Sequence, residues 1–514
     1  MKNYLIGAVI LALVAILIVV LIQPLPKKSV ESKNSHNSQL HMEKPSDVHL
    51  PPLDINEDLN SYWLNHGKSF LRAKLAREPN TKRAKNAIVF MGNGMGLSTI
   101  AATRSYIGGI EKQLSFEKFP YTGLSKTYSV DRIVTDSATA ATAYLCGIKS
   151  TTGTIGMNAE TRRGDCLDTK NSTKYVESIG KWALDAGKSI GFITTTTVTH
   201  ASPGGLYAHT TERNWESEKS VEESCGKDSG VESIAAQLIH GEVGKRLKVM
   251  MGGGKVNFVR DEKTNLIDDY KAQSQKNGFV ETRSELISLD LNSVDRLLGV
   301  FSDGHMDYNL ERIDEGLNQP SLEEMTRKAI EFMNNDENGY FLFIEGGRID
   351  TAHHNNEAKL SLDETEQFSK AIQAAREITR EDDTLIIVSA DHSHTLSFAG
   401  YMDRSQIITE EVKNADDGIP YMALSYATGP GFKSYYNKIT KQRIGPSSTN
   451  KNNIHAKWPA TVPQSSGGHG GEDVAVYASG PWAHLFTGVY EQNTIPHMLA
   501  YALCIGNGLK YCDE

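Results

Sequence analysis

The sequence has no block of basic residues, and its net charge of −9 goes with an isoelectric point near 6.0. An acidic surface of this kind leaves no electrostatic footprint for nucleic acid, so we expect no nucleic-acid partner. The sequence also shows no internal repeat. Its 514 residues, 39% of them hydrophobic and 23% charged, are enough for one large core with elaborations.

Cysteine is scarce, and the five cysteines are Cys146, Cys166, Cys225, Cys504 and Cys512. An odd number leaves at least one thiol unpaired unless a partner chain contributes. Cys146 ends an apolar, helix-like run and is predicted to be a buried free thiol. Cys504 and Cys512 are close enough in sequence to close a small loop. Two disulfides would imply an oxidising compartment, which agrees with the glycosylation sequon Asn171-Ser172-Thr173.

Residues 4–22 carry no charged or strongly polar side chain and are long enough to span a bilayer. We interpret residues 1–22 as an uncleaved transmembrane signal anchor. The alternative is a cleaved signal peptide, against which the lack of a small-residue cleavage site argues. Residues 23–52 are polar and punctuated by proline, which predicts a flexible stalk before one domain over residues 53–514.

Five short apolar runs are followed by glycines or by polar residues that bind metals or phosphate: residues 87–91, 190–193, 247–251, 340–344 and 385–388. A sixth strand candidate, residues 473–477, is preceded by Gly467-Gly468-His469. Such runs are typical of parallel strands covered on both faces. Residues 176–185, 321–333 and 362–379 have apolar residues at helical spacing. We therefore predict an α/β fold. Ligands bind beyond the carboxyl ends of strands in such sheets, so the polar clusters are expected to converge on one site.

The segment after residues 340–344 combines donors that suit zinc. Glu345 ends the predicted strand, and Asp350 and His354 are four residues apart, on one face of a helix that starts here. The alternative is a solvated helix start. Asp391 and His392 repeat the pattern after residues 385–388.

A candidate nucleophile is Ser137. Asp136 is a good N-cap, which places Ser137 in the first turn of a helix, where the backbone N–H groups favour anions. Serine must be activated by a base or a metal. No Gly-x-Ser-x-Gly motif surrounds Ser137, so activation by a metal fits better than a Ser-His-Asp triad. The alternative is a serine that merely lies near a helix cap.

Taken together, seven segments in order resemble an animal, invertebrate-like alkaline phosphatase: Met91-Gly-Asn-Gly-Met-Gly, Thr135-Asp-Ser-Ala-Thr-Ala, His200-Ala-Ser-Pro, Tyr207-Ala-His, Glu345-Gly-Gly-Arg-Ile-Asp, Ala390-Asp-His-Ser-His and His469-Gly-Gly-Glu-Asp-Val. The resemblance runs from about residue 55 to the C-terminus. It implies a metal-dependent phosphomonoesterase. Its fold would be a mixed, mostly parallel sheet with helices on both faces and a crown-like insertion near residues 402–468.

The resemblance also implies roles for matching residues. Ser137 would be the transiently phosphorylated nucleophile, and Arg213 would clamp the phosphate. Two Zn²⁺ and one Mg²⁺ would be held respectively by Asp350, His354 and His469, by Asp391 and His392, and by Ser202 and Glu345 with His200 behind them. The implied disulfides are Cys166–Cys225 and Cys504–Cys512, with Cys146 free, and the implied assembly is a homodimer.

The chain departs from the family pattern at Asn93, where an aspartate is expected to bridge the second zinc and the magnesium. We expect weaker metal binding and lower activity. Two alternatives are a modest loss, because hard cations accept amide oxygens, and deamidation at Asn93-Gly94. Thr351 stands where a larger residue is usual. Phe301-Ser302-Asp303-Gly304 makes a fourth site, for calcium, doubtful.

The leading hypothesis is an ectoenzyme that hydrolyses phosphate monoesters with an alkaline optimum. It would be attached through residues 4–22 at the cell surface or in a secretory-pathway membrane, because Tyr511–Glu514 is not a hydrophobic anchor signal. One alternative is a phosphodiesterase or sulfatase of the same metal-binding class. Another is a catalytically weak surface binding protein, for which Asn93 is the only support.

Overall fold

The computed structural model describes residues 57–260, 265–413, 415–446 and 453–513. The predicted anchor (1–22) and stalk (23–52) lie outside these ranges. Within them, no helix has both the length and the apolar character needed to cross a bilayer.

The strands of the described residues are numbered in chain order: β1 Asn86–Gly92, β2 Tyr121–Lys126, β3 Ser189–Thr197, β4 Val249–Gly253, β5 Asn277–Val280, β6 Arg296–Val300, β7 Tyr340–Gly346, β8 Thr384–Ser389, β9 Ser393–His394, β10 Leu396–Phe398, β11 Glu411–Val412, β12 Tyr421–Met422, β13 Leu424–Gly429, β14 Tyr436–Asn437, β15 Gln442–Arg443, β16 Ala460–Pro463, β17 His469–Gly470, β18 Val474–Ser479 and β19 Gly488–Glu491. Ten of them form the central sheet, in the order β19-β2-β18-β8-β1-β7-β3-β4-β6-β5.

Most neighbouring strands in this sheet are parallel, and β18 is antiparallel to both β8 and β2. The prediction of a mixed, mostly parallel sheet is confirmed. The expectation that residues 473–477 form one more parallel strand was wrong. The chain enters β18 from the edge of the sheet where β8 ends, so β18 runs back without a crossover.

The α-helices are α1 Asn60–Leu75, α2 Leu97–Tyr106, α3 Ser137–Cys146, α4 Cys166–Thr169, α5 Ile179–Asp185, α6 Ala201–Gly204, α7 Glu218–Cys225, α8 Ile234–His240, α9 Leu266–Gln273, α10 Arg283–Ser288, α11 Asn309–Asp314, α12 Leu322–Met333, α13 Arg348–His354, α14 Ala358–Ile378, α15 Phe432–Tyr435 and α16 Ile495–Leu503. All three helices predicted from apolar spacing are present. The α12 helix starts with the capping box of Ser321 and Glu324.

The sheet is covered on both faces, which is why its strands read as continuous apolar runs. Along β1, Ala87, Val89 and Met91 belong to a core shared with α3, α5, α8 and α16. Ile88 and Phe90 point the other way, into a core shared with α2, α12 and α14. Period-two alternation therefore divides β1 between two buried layers.

Residues 396–463 build a smaller sheet, β10-β13-β16, whose apolar side chains pack against α2 and α14. The described part of the predicted insertion (402–468) contains most of this sheet, but its assignment as a crown stays a prediction. Cys166 is bonded to Cys225, Cys504 is bonded to Cys512, and Cys146 is free and buried.

Candidate active site

The carboxyl ends of three adjacent central strands bring the predicted residues together. In register, Met91 of β1 lies beside Glu345 of β7 and Ser389 of β8. Asn93 and Asp391 follow directly, so both reach the same edge of the sheet as Glu345. All three side chains are fully buried. The predicted convergence at the strand ends is what the structure shows.

Ser137 opens α3 at this edge. The Asp136 side chain accepts a hydrogen bond from Thr139 N and so caps the helix, as predicted. Ser137 Oγ lies 3.3 Å from His392 Nε2 and 3.5 Å from Asn93 Nδ2. The hydroxyl therefore stands between a helix N-terminus and the histidine that follows β8.

Arg213 is held beside Ser137 by two contacts. Its Nη1 donates to Asp136 Oδ2 at 3.0 Å, and its Nη2 lies 3.2 Å from His200 Nε2. A guanidinium only donates, so His200 Nε2 accepts and the proton resides on Nδ1, which is buried without a partner. Burial and the positive charge of Arg213 lower the pKa of His200 well below its usual range.

Asp350, His354 and His469 meet in an arrangement that suits a cation. His354 Nδ1 donates to Gly467 O at 2.6 Å, and His469 Nδ1 donates to Thr135 O at 2.8 Å. The two Nε2 atoms are 3.2 Å apart, and Asp350 Oδ2 lies 3.3 Å from His354 Nε2. Two imidazole nitrogens and a carboxylate oxygen therefore converge, and the backbone carbonyls orient the imidazoles as they do in zinc sites.

A second group of the same kind contains Asp391 and His392. His392 Nδ1 donates to Ser393 O at 3.1 Å, which leaves a lone pair on Nε2, 3.2 Å from Asp391 Oδ2. Asp391 Oδ2 has no hydrogen-bond partner, and neither does Asn93 Oδ1. The His392 and His469 rings stack with centroids 3.6 Å apart, so the two groups are adjacent.

A third group offers oxygen atoms only, the donors that magnesium prefers. Glu345 Oε2 accepts from Thr194 Oγ1 at 2.6 Å, and Glu345 Oε1 accepts from Asn93 Nδ2 at 3.0 Å. Ser202 Oγ lies 3.5 Å from Asn93 Nδ2. The amide nitrogen of Asn93 therefore faces this group of oxygen atoms, called the oxygen site below, which consists of Glu345 and Ser202.

Glu345, Asp350 and Asp391 are all buried, and among the described residues none of the three carboxylates forms a salt bridge with a lysine or arginine. Burial raises the pKa of Glu345, and burial together with the charge of Asp350 raises the pKa of Asp391 well above its usual range. Burial also acts to raise the pKa of Asp350, but His354 and His394 hold it well below its usual range. Buried carboxylates in such excess are stabilised when cations bind.

Sequence reasoning placed His394 and Thr194 in polar clusters after strands but assigned neither of them a role. His394 Nε2 lies 2.5 Å from Asp350 Oδ1, and its Nδ1 donates to Gly468 O at 3.0 Å. His394 also forms one group of potential metal ligands with Asp350, His392 and His469. The signal was present, since Asp391-His392-Ser393-His394 places two histidines on one side of an extended segment.

The profile of the alkaline phosphatase family matches residues 84–505. The chain is 39% identical over 483 residues to a membrane-bound alkaline phosphatase of Bombyx mori. This alignment covers 88% of this chain and 86% of that protein. It is 40% identical over 481 residues to the tissue-nonspecific isozyme of Homo sapiens, with 88% and 90% covered. Among solved structures, the alkaline phosphatase of the Antarctic bacterium TAB5 is 25% identical at a TM-score of 0.59, with 83% of this chain and all of that chain (100%) covered.

Proposed function

We propose that the buried site of this chain works through a phosphoserine intermediate. The chain belongs to the alkaline phosphatase family and hydrolyses phosphate monoesters. Ser137 Oγ forms a bond to phosphorus as the ester P–O bond breaks and the alcohol leaves. Water then attacks the phosphoserine, which releases orthophosphate and regenerates Ser137. Two displacements give net retention at phosphorus. The position of Ser137 Oγ, 3.3 Å from the unprotonated His392 Nε2 at the start of α3, is the observation that carries this proposal.

Two zinc ions and one magnesium ion fit the three donor groups. Asp350, His354 and His469 would hold the first zinc, Asp391 and His392 the second, and Glu345 and Ser202 the magnesium. When bound, such cations lower the pKa of a hydroxyl or water and neutralise charge on phosphate oxygens. An alkaline optimum follows, because the serine and the water must both lose protons.

Arg213 is proposed to bind the phosphate. Asp136 occupies Nη1, so the guanidinium is already oriented before substrate arrives. Planar guanidinium groups match two phosphate oxygens at once. The neutral His200 steadies the same guanidinium without adding a competing positive charge.

Asn93 is proposed to limit metal binding. An amide has one ligand oxygen and no negative charge, whereas a carboxylate has two oxygens and a charge, so Asn93 would bind two neighbouring cations less strongly than aspartate. Its Nδ2 faces Glu345 and Ser202, so the oxygen site gains an N–H donor where a ligand would be needed. Its unpartnered Oδ1 remains available for one cation only.

The test is hydrolysis of p-nitrophenyl phosphate and bis(p-nitrophenyl) phosphate at alkaline pH with zinc and magnesium, beside Ser137→Ala. We expect monoester hydrolysis in the parent, a loss of at least about a thousandfold in the variant, and phosphate on Ser137 after acid quenching. Ser125→Ala is the matched control, because Ser125 is equally buried and its hydroxyl has no partner. Preferential diester hydrolysis would favour the phosphodiesterase alternative. A protein that retains no zinc and shows no activity, even when both metals are supplied, would favour a binding role.

We propose that the chain forms a homodimer through α1. None of the residues of α1 is buried, although the helix carries several large apolar side chains. Those that are more than half exposed include Trp63, Leu64, Phe70 and Leu71. They recur at the spacing of one helix face. A stripe of this kind exposed on a helix is typical of an interaction surface, and a second copy of the chain is the occupant that the family resemblance implies.

We also propose that the domain lies outside the cell, tethered through residues 4–22, and is glycosylated at Asn171. Asn171 is exposed, and its Oδ1 accepts from Thr173 Oγ1 at 2.8 Å. The two disulfides support an oxidising compartment. Mass spectrometry of the protein from a secretory host, with and without glycosidase, tests the glycan, and protease access on intact cells tests the orientation.

A further inference from the structure

Arg348 is an arginine at the active-site edge that no step of the proposed mechanism uses. It opens α13, two residues before Asp350. Its guanidinium lies 3.7 Å from the centroid of the Tyr308 ring, and its Nη1 donates to Thr351 Oγ1 at 3.3 Å. Stacking and this hydrogen bond fix the direction of the guanidinium plane.

The charge of Arg348 is not paired. No carboxylate oxygen of the described residues lies within salt-bridge distance of it. Its Nε is buried without a hydrogen-bond partner, and the residue as a whole is partly exposed. The nearby acids Asp363 and Glu364 are held by Asn309 instead, through its side-chain and backbone N–H groups. An oriented, unpaired guanidinium is typical of an anion site.

His305 connects Arg348 to the phosphate site. Its Nδ1 accepts from Thr197 N at 3.0 Å, so the proton is on Nε2. Its ring stands nearly perpendicular to that of His200, with centroids 5.5 Å apart. Burial and the positive charges of Arg348 and Arg213 lower the pKa of His305 to about 4, so it is a neutral donor at neutral and alkaline pH. The positive charges of both arginines therefore act on one imidazole.

We propose that Arg348, supported by His305 and Thr351, is a second anion subsite that binds the leaving-group phosphate of substrates with two linked phosphoryl groups. Inorganic pyrophosphate and nucleoside diphosphates belong to this class. The inference rests on the proposed function and keeps its chemistry. The terminal phosphoryl group is transferred to Ser137 Oγ, the bridging P–O bond breaks, and the phosphate that departs is the one bound by Arg348. Water is the only co-reactant.

The test compares pyrophosphate with p-nitrophenyl phosphate, whose leaving group has no phosphate for Arg348 to bind. In the metal-supplied full chain, Arg348→Gln should raise KM for pyrophosphate about tenfold, the loss expected for a charge-assisted hydrogen bond. KM and kcat for p-nitrophenyl phosphate should stay within about twofold, and Arg348→Lys should recover part of the pyrophosphate effect. The matched control is Arg296→Gln, because Arg296 also stacks on a tyrosine, Tyr270, and its N–H groups bond only uncharged oxygens.

A second measurement does not depend on turnover of pyrophosphate. Methylenediphosphonate should inhibit p-nitrophenyl phosphate hydrolysis with a Ki about tenfold weaker in Arg348→Gln, while the Ki of orthophosphate stays unchanged. Equal shifts for both inhibitors, or for both substrates, would assign Arg348 a purely structural role and overturn the subsite. Unchanged pyrophosphate kinetics would overturn it too. A parent chain that hydrolyses neither substrate would instead overturn the proposed function, and the subsite with it.

Discussion

Replacing Asn93 by aspartate should shift stability in opposite directions with and without metal. In the chelated protein, the new carboxylate would stand where Asn93 Nδ2 now lies 3.0 Å from Glu345 Oε1. Two unit charges at that distance repel by about 5 kcal/mol at an effective dielectric constant of about 20. Protonation and rotation relieve much of this, so we expect Asn93→Asp to lose about 2 kcal/mol of unfolding free energy without metal.

With cations bound, the sign reverses, because the second carboxylate oxygen attracts a divalent charge. Desolvation offsets part of the gain, and we expect magnesium to bind about tenfold more tightly, which is about 1.4 kcal/mol. The assay is thermal unfolding in chelator and in zinc with magnesium, together with calorimetric titration of magnesium and p-nitrophenyl phosphate kinetics. Asn93→Asp should melt below the parent in chelator and above it in metal, with higher kcat.

Asn86→Asp is the matched control, because Asn86 lies at the other end of the same strand and is also buried. Its Nδ2 donates to Thr384 Oγ1 and its Oδ1 accepts from Tyr340 N, far from any metal donor. It should lose stability equally in chelator and in metal. If Asn93→Asp behaves like this control, with unchanged magnesium affinity, the reasoning about Asn93 is refuted.

Three further outcomes follow from particular contacts. His394→Ala should weaken zinc retention about 10–100-fold by freeing Asp350 Oδ1, measured as metal content after dialysis; retention equal to the parent would contradict this. Burial, and then the neighbouring Asp363, raise the pKa of Glu364 to about 7, so its contribution to stability is present below pH 4.5 and lost as pH rises through 7. Glu364→Gln should remove about 2–3 kcal/mol of the fall in unfolding free energy between pH 5 and pH 8, measured by denaturant titration, and an unchanged fall would contradict the burial argument. The double variant Leu64→Glu with Phe70→Glu should halve the mass in solution by light scattering, whereas Lys68→Glu on the same helix should not; a monomeric parent would refute the dimer proposal.

The sheet was predictable from sequence because its strands are buried on both faces. Each of the runs 87–91, 340–344 and 385–388 became a central strand extended by only a residue or two at either end. Strands β2, β5 and β6 were not predicted, because their apolar patterns are short or mixed. In addition, β5 lies at one edge of the sheet and β2 lies next to the other edge. The direction of β18 was not predictable either, since an apolar run does not reveal which way its strand runs.

The candidate site was predictable to the extent that its residues follow strands. Asn93, Glu345 and Asp391 were found because each comes within a few residues of an apolar run. Arg213 has no such signal and was found only through the family resemblance. What no sequence pattern carries is the orientation of a side chain, and therefore its protonation.

Protonation is where the structure adds most to the argument. The carbonyls of Thr135, Ser393 and Gly467 each accept from the Nδ1 of a histidine, and they come from three separate segments of the chain. Together they turn the Nε2 atoms of His354, His392 and His469 inward, toward the carboxylates of Asp350 and Asp391. A buried cluster of carboxylates and imidazoles of this kind costs free energy unless protons or cations pair with it. The side chain of Asn93 instead directs an N–H toward Glu345 and Ser202, which is why we expect its replacement by aspartate to strengthen cation binding there.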